Sequence, residues 1–79
     1  VSEKATKIGI IGAGDIFPAY ARGLAAFGNV QLLAVADARA EAATARAAEF
    51  DLLAMTPAEL LASEAEIIIN LTPPAAHLA

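Results

Sequence analysis

Gly12 and Gly14 stand two residues apart in the stretch "IGIIGAGDIF", and Asp37 closes the apolar run "VQLLAVAD". Glycine weakens a strand or a helix, so it is useful only where the backbone turns sharply or where another group must come close to it. Two of them between a β-branched run and a helical pattern suit the binding of a diphosphate. The first allows a tight turn, and the second lets a pyrophosphate reach the main chain. The amides that open the following helix then hold the anion, helped by the helix dipole. Phe17 replaces the third glycine of the G-x-G-x-x-G fingerprint. That glycine serves helix-on-strand contact rather than phosphate, so the chemistry survives its loss. Asp37 falls 20 residues after Phe17, where an acid accepts hydrogen bonds from the hydroxyls of an adenosine ribose. A glycine turn alone suits any α/β protein, and an aspartate alone suits a helix cap. Strand, turn, helix, strand and acid in register point to a dinucleotide.

Asp15 reads as an acid in the first helical turn, offering its backbone N–H rather than its carboxylate. Arg39 follows Asp37 closely enough to pair with a 2′-phosphate, but the Asp37 carboxylate would repel that group. The cofactor expected is therefore NAD, with NADP as the alternative and Arg39 as a solvated residue at a helix start. In "NLTPPAAH", Leu71, Thr72 and Pro73 are expected to pass over the middle of the cofactor, with Thr72 placed either to bond a ribose or phosphate or to cap the next helix. His77 is the one side chain that titrates near neutral pH. It reads either as a first-turn helix residue or as a contact to cofactor or substrate. No partner identifies it as a general base, so no catalytic residue is assigned.

The elements that position these residues follow from periodicity. "KIGII" is a short β-branched run ending at glycine, a strand buried on both faces. From Asp15 onward, apolar residues at Ile16, Ala19, Tyr20, Gly23, Leu24 and Phe27 mark one helix face, with the helix starting near Gly14, Pro18 in its first turn and Gly28 as its stop. Residues 30–37 form a second strand and 38–50 an alanine-rich helix. Residues 52–55 form a third strand. "TPAE" starts a helix, with Thr56 as cap, Pro57 at the first position and Glu59 reaching back. Residues 66–71 form a fourth strand. Strands alternating with helices, without hairpin dipeptides, imply a doubly wound parallel α/β sheet of the Rossmann kind, incomplete, of about four strands in order 3-2-1-4 with helices on both faces. Residues 1–6 are expected to be a flexible tail, and 7–79 the N-terminal part of a dinucleotide-binding domain.

Composition narrows the function. The 79 residues include 22 alanines and carry a net charge of −4. The five cations, Lys4, Lys7, Arg22, Arg39 and Arg46, form no stripe, which argues against nucleic acid and anionic membranes as partners. There is no cysteine and one histidine, so neither a thiolate nor a multi-histidine metal site is expected. No apolar run approaches the roughly 18 residues of a membrane span, and "VSEKATK" is not a signal peptide, so a cytoplasmic location is the default.

Together, "KIGIIGAGDI…YARGL", "VQLLAVAD", "TPAELL" and "EIIINLTPPAAH" resemble the N-terminal half of the Gfo/Idh/MocA oxidoreductases, NAD(P)-dependent dehydrogenases of sugars, inositols and related polyols. The resemblance spans residues 7–79. It implies that Gly12, Gly14, Asp15 and Ile16 line the pyrophosphate and that Asp37 meets the adenosine ribose. Leu71, Thr72, Pro73 and His77 would border the nicotinamide half. It also implies a small-molecule sugar or polyol substrate and a homo-oligomer built through a second domain. Two positions depart from the family: Phe17 in the fingerprint, and Phe50-Asp51 where a glycine usually leads out of the second helix. The family's Glu-Lys-Pro motif and catalytic Lys and His fall beyond residue 79, so the sequence reads as a cofactor cradle from a longer enzyme. A non-catalytic nucleotide sensor of the same fold is the alternative. A methyltransferase using S-adenosylmethionine fits less well, because the turn runs G-A-G-D.

Overall fold

A computed structural model describes residues 5–72. The chain alternates strand and helix throughout: β1 (Thr6–Ile11), α1 (Phe17–Ala25), β2 (Val30–Ala36), α2 (Ala40–Phe50), β3 (Leu53–Met55), α3 (Pro57–Leu61) and β4 (Ile67–Asn70). The four strands form one parallel sheet in the order β3-β2-β1-β4, the order expected from sequence. β1 starts one residue early, the Thr6 amide donating to the Asn29 carbonyl at 3.0 Å, so Thr6 belongs to the sheet and not to a tail. Among the described residues no helix is long and apolar enough to cross a membrane.

Helices cover both faces. On one, α1 and α2 bury Phe17, Ala21 and Ala47 against Ile10 and Val35. On the other, α3 buries Leu60 against Ala34 and Ala36. The two faces stay in phase because β2 carries a bulge. Ile8 pairs with Leu32 but Gly9 pairs with Ala34, leaving Leu33 as the extra residue. Leu33 and Ala34 therefore both face α3, and Val35 turns toward α1, a shift of one residue that would otherwise invert the strand. Gly9 matters here for its missing side chain: a Cβ would lie 2.5 Å from Leu60 Cδ1. Its absence lets α3 sit on the central strand.

α3 has the capping box read in its sequence. The Glu59 amide donates to Thr56 Oγ1 at 3.1 Å, and the Thr56 amide donates to Glu59 Oε1 at 2.8 Å. α2 ends differently from a glycine-terminated helix. Asp51 takes the left-handed conformation, φ 59° and ψ 51°, and the Leu52 amide returns to the Ala47 carbonyl at 2.9 Å. Aspartate is one of the few residues that tolerates this region, so it does the work usually given to glycine. The two departures from the family pattern also meet in space. Phe17 and Phe50 stack edge to face with ring centroids 5.4 Å apart. Phe17 fills the gap that a glycine at its position would leave, and Phe50 is the surface it packs on.

Two expectations for α1 are corrected. The helix begins at Phe17, not near Gly14, because residues 14–16 form a turn closed by the Phe17 amide on the Gly14 carbonyl at 3.2 Å. It ends at Ala25 with Ala26 as cap, so Gly28 lies beyond it and is not its stop. Among the described glycines only Gly12 has a positive φ.

Candidate functional site

The site is built where β1, β2 and β4 end at the same edge of the sheet. Ile11 is paired with Ala36 on one side and Asn70 on the other, so the chain leaves β1 between the ends of its two neighbours. Gly12 makes the exit. Its φ of +115° is closed to most side chains, and a Cβ there would lie 3.2 Å from Leu71 Cβ and 3.3 Å from the Leu71 carbonyl carbon. Its amide donates to the Ala36 carbonyl at 2.7 Å. Gly12 thus satisfies both a conformation and a close approach. Gly14 satisfies neither: its φ is ordinary and nothing lies within 4 Å of where its Cβ would be. The absent side chain leaves open space over the turn.

α1 opens without a side-chain cap. Ile16 stands at the N-cap, with an exposed side chain that cannot accept a hydrogen bond. Asp15 precedes the helix and faces solvent, so it is not the first-turn acid expected. Among the described residues no group accepts from the amides of Gly14, Asp15 or Ile16. α3, by contrast, is fully capped. Uncapped N-terminal amides carry the partial positive charge of the helix dipole toward the open side of the turn.

Asp37 follows the last residue of β2 and turns back onto the glycine turn. Its Oδ2 accepts the Ala13 amide at 2.8 Å and its Oδ1 accepts the Arg39 amide at 2.8 Å. The Arg39 side chain lies on the same carboxylate, Nε donating to Oδ1 at 3.1 Å and Nη2 to Oδ2 at 3.3 Å. The Arg39 side-chain bonds, helped by the Arg39 and Ala13 amides, lower the Asp37 pKa to about 2, although partial burial pushes the other way. The carboxylate therefore stays ionised at neutral pH. The Asp37 side chain is 10% exposed and that of Arg39 is 65% exposed, so Arg39 forms the outer, displaceable wall. Arg39 is the N-cap of α2, a helix-start residue as expected, but it is paired with Asp37 rather than simply solvated.

Asp37 also forms one wall of a cleft of about 200 Å³ between the start of α2 and the β3–α3 junction, where Thr44, Met55 and Thr56 line it. The cleft does not reach the glycine turn. On the β4 side, Leu71 and Thr72 pass beside Gly12, and the Leu71 amide donates to the Ile11 carbonyl at 2.8 Å. The structure thus brings together Gly12, Gly14, Asp15, Ile16, Asp37, Arg39, Leu71 and Thr72 at one edge. Pro73 and His77 lie outside the described residues.

Two residues at this edge were not singled out by their sequence context. Asn70 Oδ1 accepts both the amide and the hydroxyl of Thr72, at 2.9 and 2.6 Å, and so shapes the exit from β4. An asparagine at the end of a β-branched run, just before T-P-P, was the available signal. Arg46, one of the five scattered cations, points inward. Its Nε donates to the Ala13 carbonyl at 3.1 Å and its Nη2 to the Gly14 carbonyl at 3.3 Å. Its position on the stripe of Ala43, Ala47 and Phe50, at helical spacing, is the signal that could have found it.

Residues 7–79 match the family described as "NADP oxidoreductase coenzyme F420-dependent". The chain belongs to that family. Solved structures similar to this NADP oxidoreductase family member include three that bear on the site. One is a protein from Sinorhizobium meliloti 1021 assigned as a myo-inositol dehydrogenase, with a TM-score of 0.82 and 28% identity over 92% of this chain and 22% of that one. Another is GenD2 from gentamicin A biosynthesis, solved in complex with NAD, with a TM-score of 0.80 and 25% identity over 89% of this chain and 21% of that one. The third is the UDP-N-acetylglucosamine 3-dehydrogenase GnnA from Acidithiobacillus ferrooxidans, with a TM-score of 0.76 and 32% identity over 92% of this chain and 24% of that one. No curated protein matches the chain. The neighbours are dehydrogenases of the Gfo/Idh/MocA type, the resemblance carried by the sequence motifs. The family member described here spans about a fifth to a quarter of their length.

Proposed function

We propose that the Gly12–Ile16 turn and Asp37 bind the ADP half of NAD or NADP, within an oxidoreductase that moves hydride between the nicotinamide and a sugar, inositol or related polyol. The observation that carries the reading is the set of three amides, on Gly14, Asp15 and Ile16, without partners among the described residues, at an uncapped helix start with open space above Gly14. A diphosphate fits this donor set: it is an anion with several acceptor oxygens, and the turn offers amides, a dipole end and no side chain in the way. Asp37, ionised and close to the same turn, is placed to accept the ribose hydroxyls, for which the exposed Arg39 side chain must share or leave the carboxylate. Leu71 and Thr72 border the route toward the nicotinamide, and Pro73 and His77 extend the same segment. The nicotinamide, when bound, supplies the hydride chemistry, and the residues of this chain hold and orient it.

NAD is favoured over NADP because the ionised Asp37 would repel a 2′-phosphate. The GenD2 structure contains NAD, while the description of the family names NADP. A sugar or polyol substrate and a homo-oligomer formed through a second domain rest on the resemblance to the Gfo/Idh/MocA dehydrogenases, and a cytoplasmic location is the default for a sequence with neither an apolar span nor a signal peptide. Calorimetric titration of the intact protein with each nucleotide tests the reading. Heat of binding with NAD, and weaker binding of NADP, is the expected result; no heat with either nucleotide overturns it.

A further inference from the structure

We infer that Arg46 is a positioning residue for the diphosphate: from α2 it grips the back of the glycine turn and aims the amides of Gly14 and Asp15 outward. The inference rests on reading the turn as the dinucleotide site. It follows from the geometry of the peptide unit. The carbonyl of Ala13 shares a planar unit with the amide of Gly14, and the carbonyl of Gly14 shares one with the amide of Asp15. No described peptide is cis, so in each unit the C=O and N–H point in opposite directions. Arg46 Nε and Nη2 hold the two carbonyls, at 3.1 and 3.3 Å. Fixing those oxygens on the inner side fixes the two N–H bonds on the outer side.

The grip does two further things. A guanidinium on a carbonyl polarises the whole peptide unit, which strengthens its N–H as a donor to an anion. It also places one positive charge behind a turn that is read as meeting a diphosphate. The fork matters as much as the charge, because two successive peptide planes are held by two nitrogens of one rigid group, which the ammonium of lysine cannot reproduce. Arg46 is itself fixed. Its Nη1 donates to Glu49 Oε1 at 2.8 Å, one helical turn on, and its side chain is 23% exposed. The alanines beside it on α2, Ala43 and Ala47, are buried and are small enough to let the helix come close to the turn.

The test compares ADP-ribose with adenosine on the intact protein, in the wild type, Arg46→Met and Arg46→Lys. Adenosine lacks the diphosphate, so its binding reports Asp37 and the general integrity of the site. Arg46→Met is expected to weaken ADP-ribose about tenfold, the worth of one charge-assisted hydrogen bond, and to leave adenosine unchanged. Arg46→Lys is expected to fall between, since it keeps the charge and loses the fork. Equal losses for both ligands, or none for ADP-ribose, overturn the inference. A ligand-free readout keeps it decidable if Arg46→Met folds poorly or if the wild type binds no nucleotide. In the NMR spectrum of Arg46→Lys, the amide protons of Gly14 and Asp15 are expected to move upfield as their peptide units lose polarisation. Unmoved resonances contradict the role of Arg46, whereas failure of the wild type to bind either ligand contradicts only the reading of the turn.

Discussion

Gly14→Ala separates a binding role from a structural one, because the two roles predict opposite signs. Gly14 has an ordinary φ, and its missing Cβ would meet nothing within 4 Å. An alanine there is therefore unstrained in the fold. It also narrows the unfolded ensemble, which stabilises by about 0.4 to 1 kcal/mol. The same methyl group stands in the open space over the amides of Gly14, Asp15 and Ile16, where a diphosphate would lie. Losing close contact with one of those donors costs about 1.5 to 3 kcal/mol for a charged acceptor, or about a ten- to hundredfold rise in Kd. The expected variant is as stable as the wild type or more so, and markedly poorer at binding NAD. Stability is read by denaturant unfolding of the intact protein and binding by calorimetry. A Gly14→Ala variant that binds NAD as tightly as the wild type would refute the reasoning, since the open space would then have no use. Gly12→Ala is the control. Its φ of +115° and its contacts with Leu71 predict a loss of about 1 to 3 kcal/mol in stability, whatever happens to binding.

The Asp37 carboxyl has its pKa lowered to about 2 in the folded protein, from 3.8. Its contribution is therefore complete above pH 4 and is lost as pH falls toward 2, about 1 to 2 kcal/mol after allowing for screening at the exposed Arg39. Acid unfolding curves of Asp37→Asn should lack that slope between pH 4 and 2. Phe17→Ala should cost about 3 to 5 kcal/mol by leaving a cavity, and a double-mutant cycle with Phe50→Leu, using Phe17→Leu, should return a coupling of about 0.5 to 1.5 kcal/mol for the edge-to-face pair. Asp51→Gly should stabilise the protein by up to about 1 kcal/mol, because φ 59° suits glycine better than any other residue; a loss measured by denaturant unfolding would contradict that reading of the helix end.

The order of elements was legible because each strand is a short β-branched or apolar run stopped by Gly, Asp or Pro, and the first two helices are amphipathic or alanine-rich stretches. The T-P-A-E cap was legible for the same kind of reason: its two hydrogen bonds involve residues only three apart. What escaped the sequence depended on contacts between distant segments. The start of α1 was misplaced because Asp15 resembles a first-turn acid, while the turn over 14–16 is fixed by Phe17 dropping into the core. The bulge at Leu33 is hidden in "LLAV", where four apolar residues carry no phase. Arg46 was not singled out, its neighbours being alanines. Only the fold shows that an alanine stripe is shallow enough to bring an arginine against a loop more than 30 residues earlier. Asp37 lies just past the end of β2, where its spacing put it, but its bonds to Ala13 and Arg39 could not be seen from spacing alone.

The most direct measurement follows the backbone amides of the 15N-labelled protein by NMR during titration with ADP-ribose. If the turn holds a diphosphate, the amide resonances of Gly14, Asp15 and Ile16 move downfield and saturate together, in step with those of residues around Asp37. If these three amides stay in place while ADP-ribose binds elsewhere, or if nothing in the spectrum responds, the turn is only a connection between a strand and a helix.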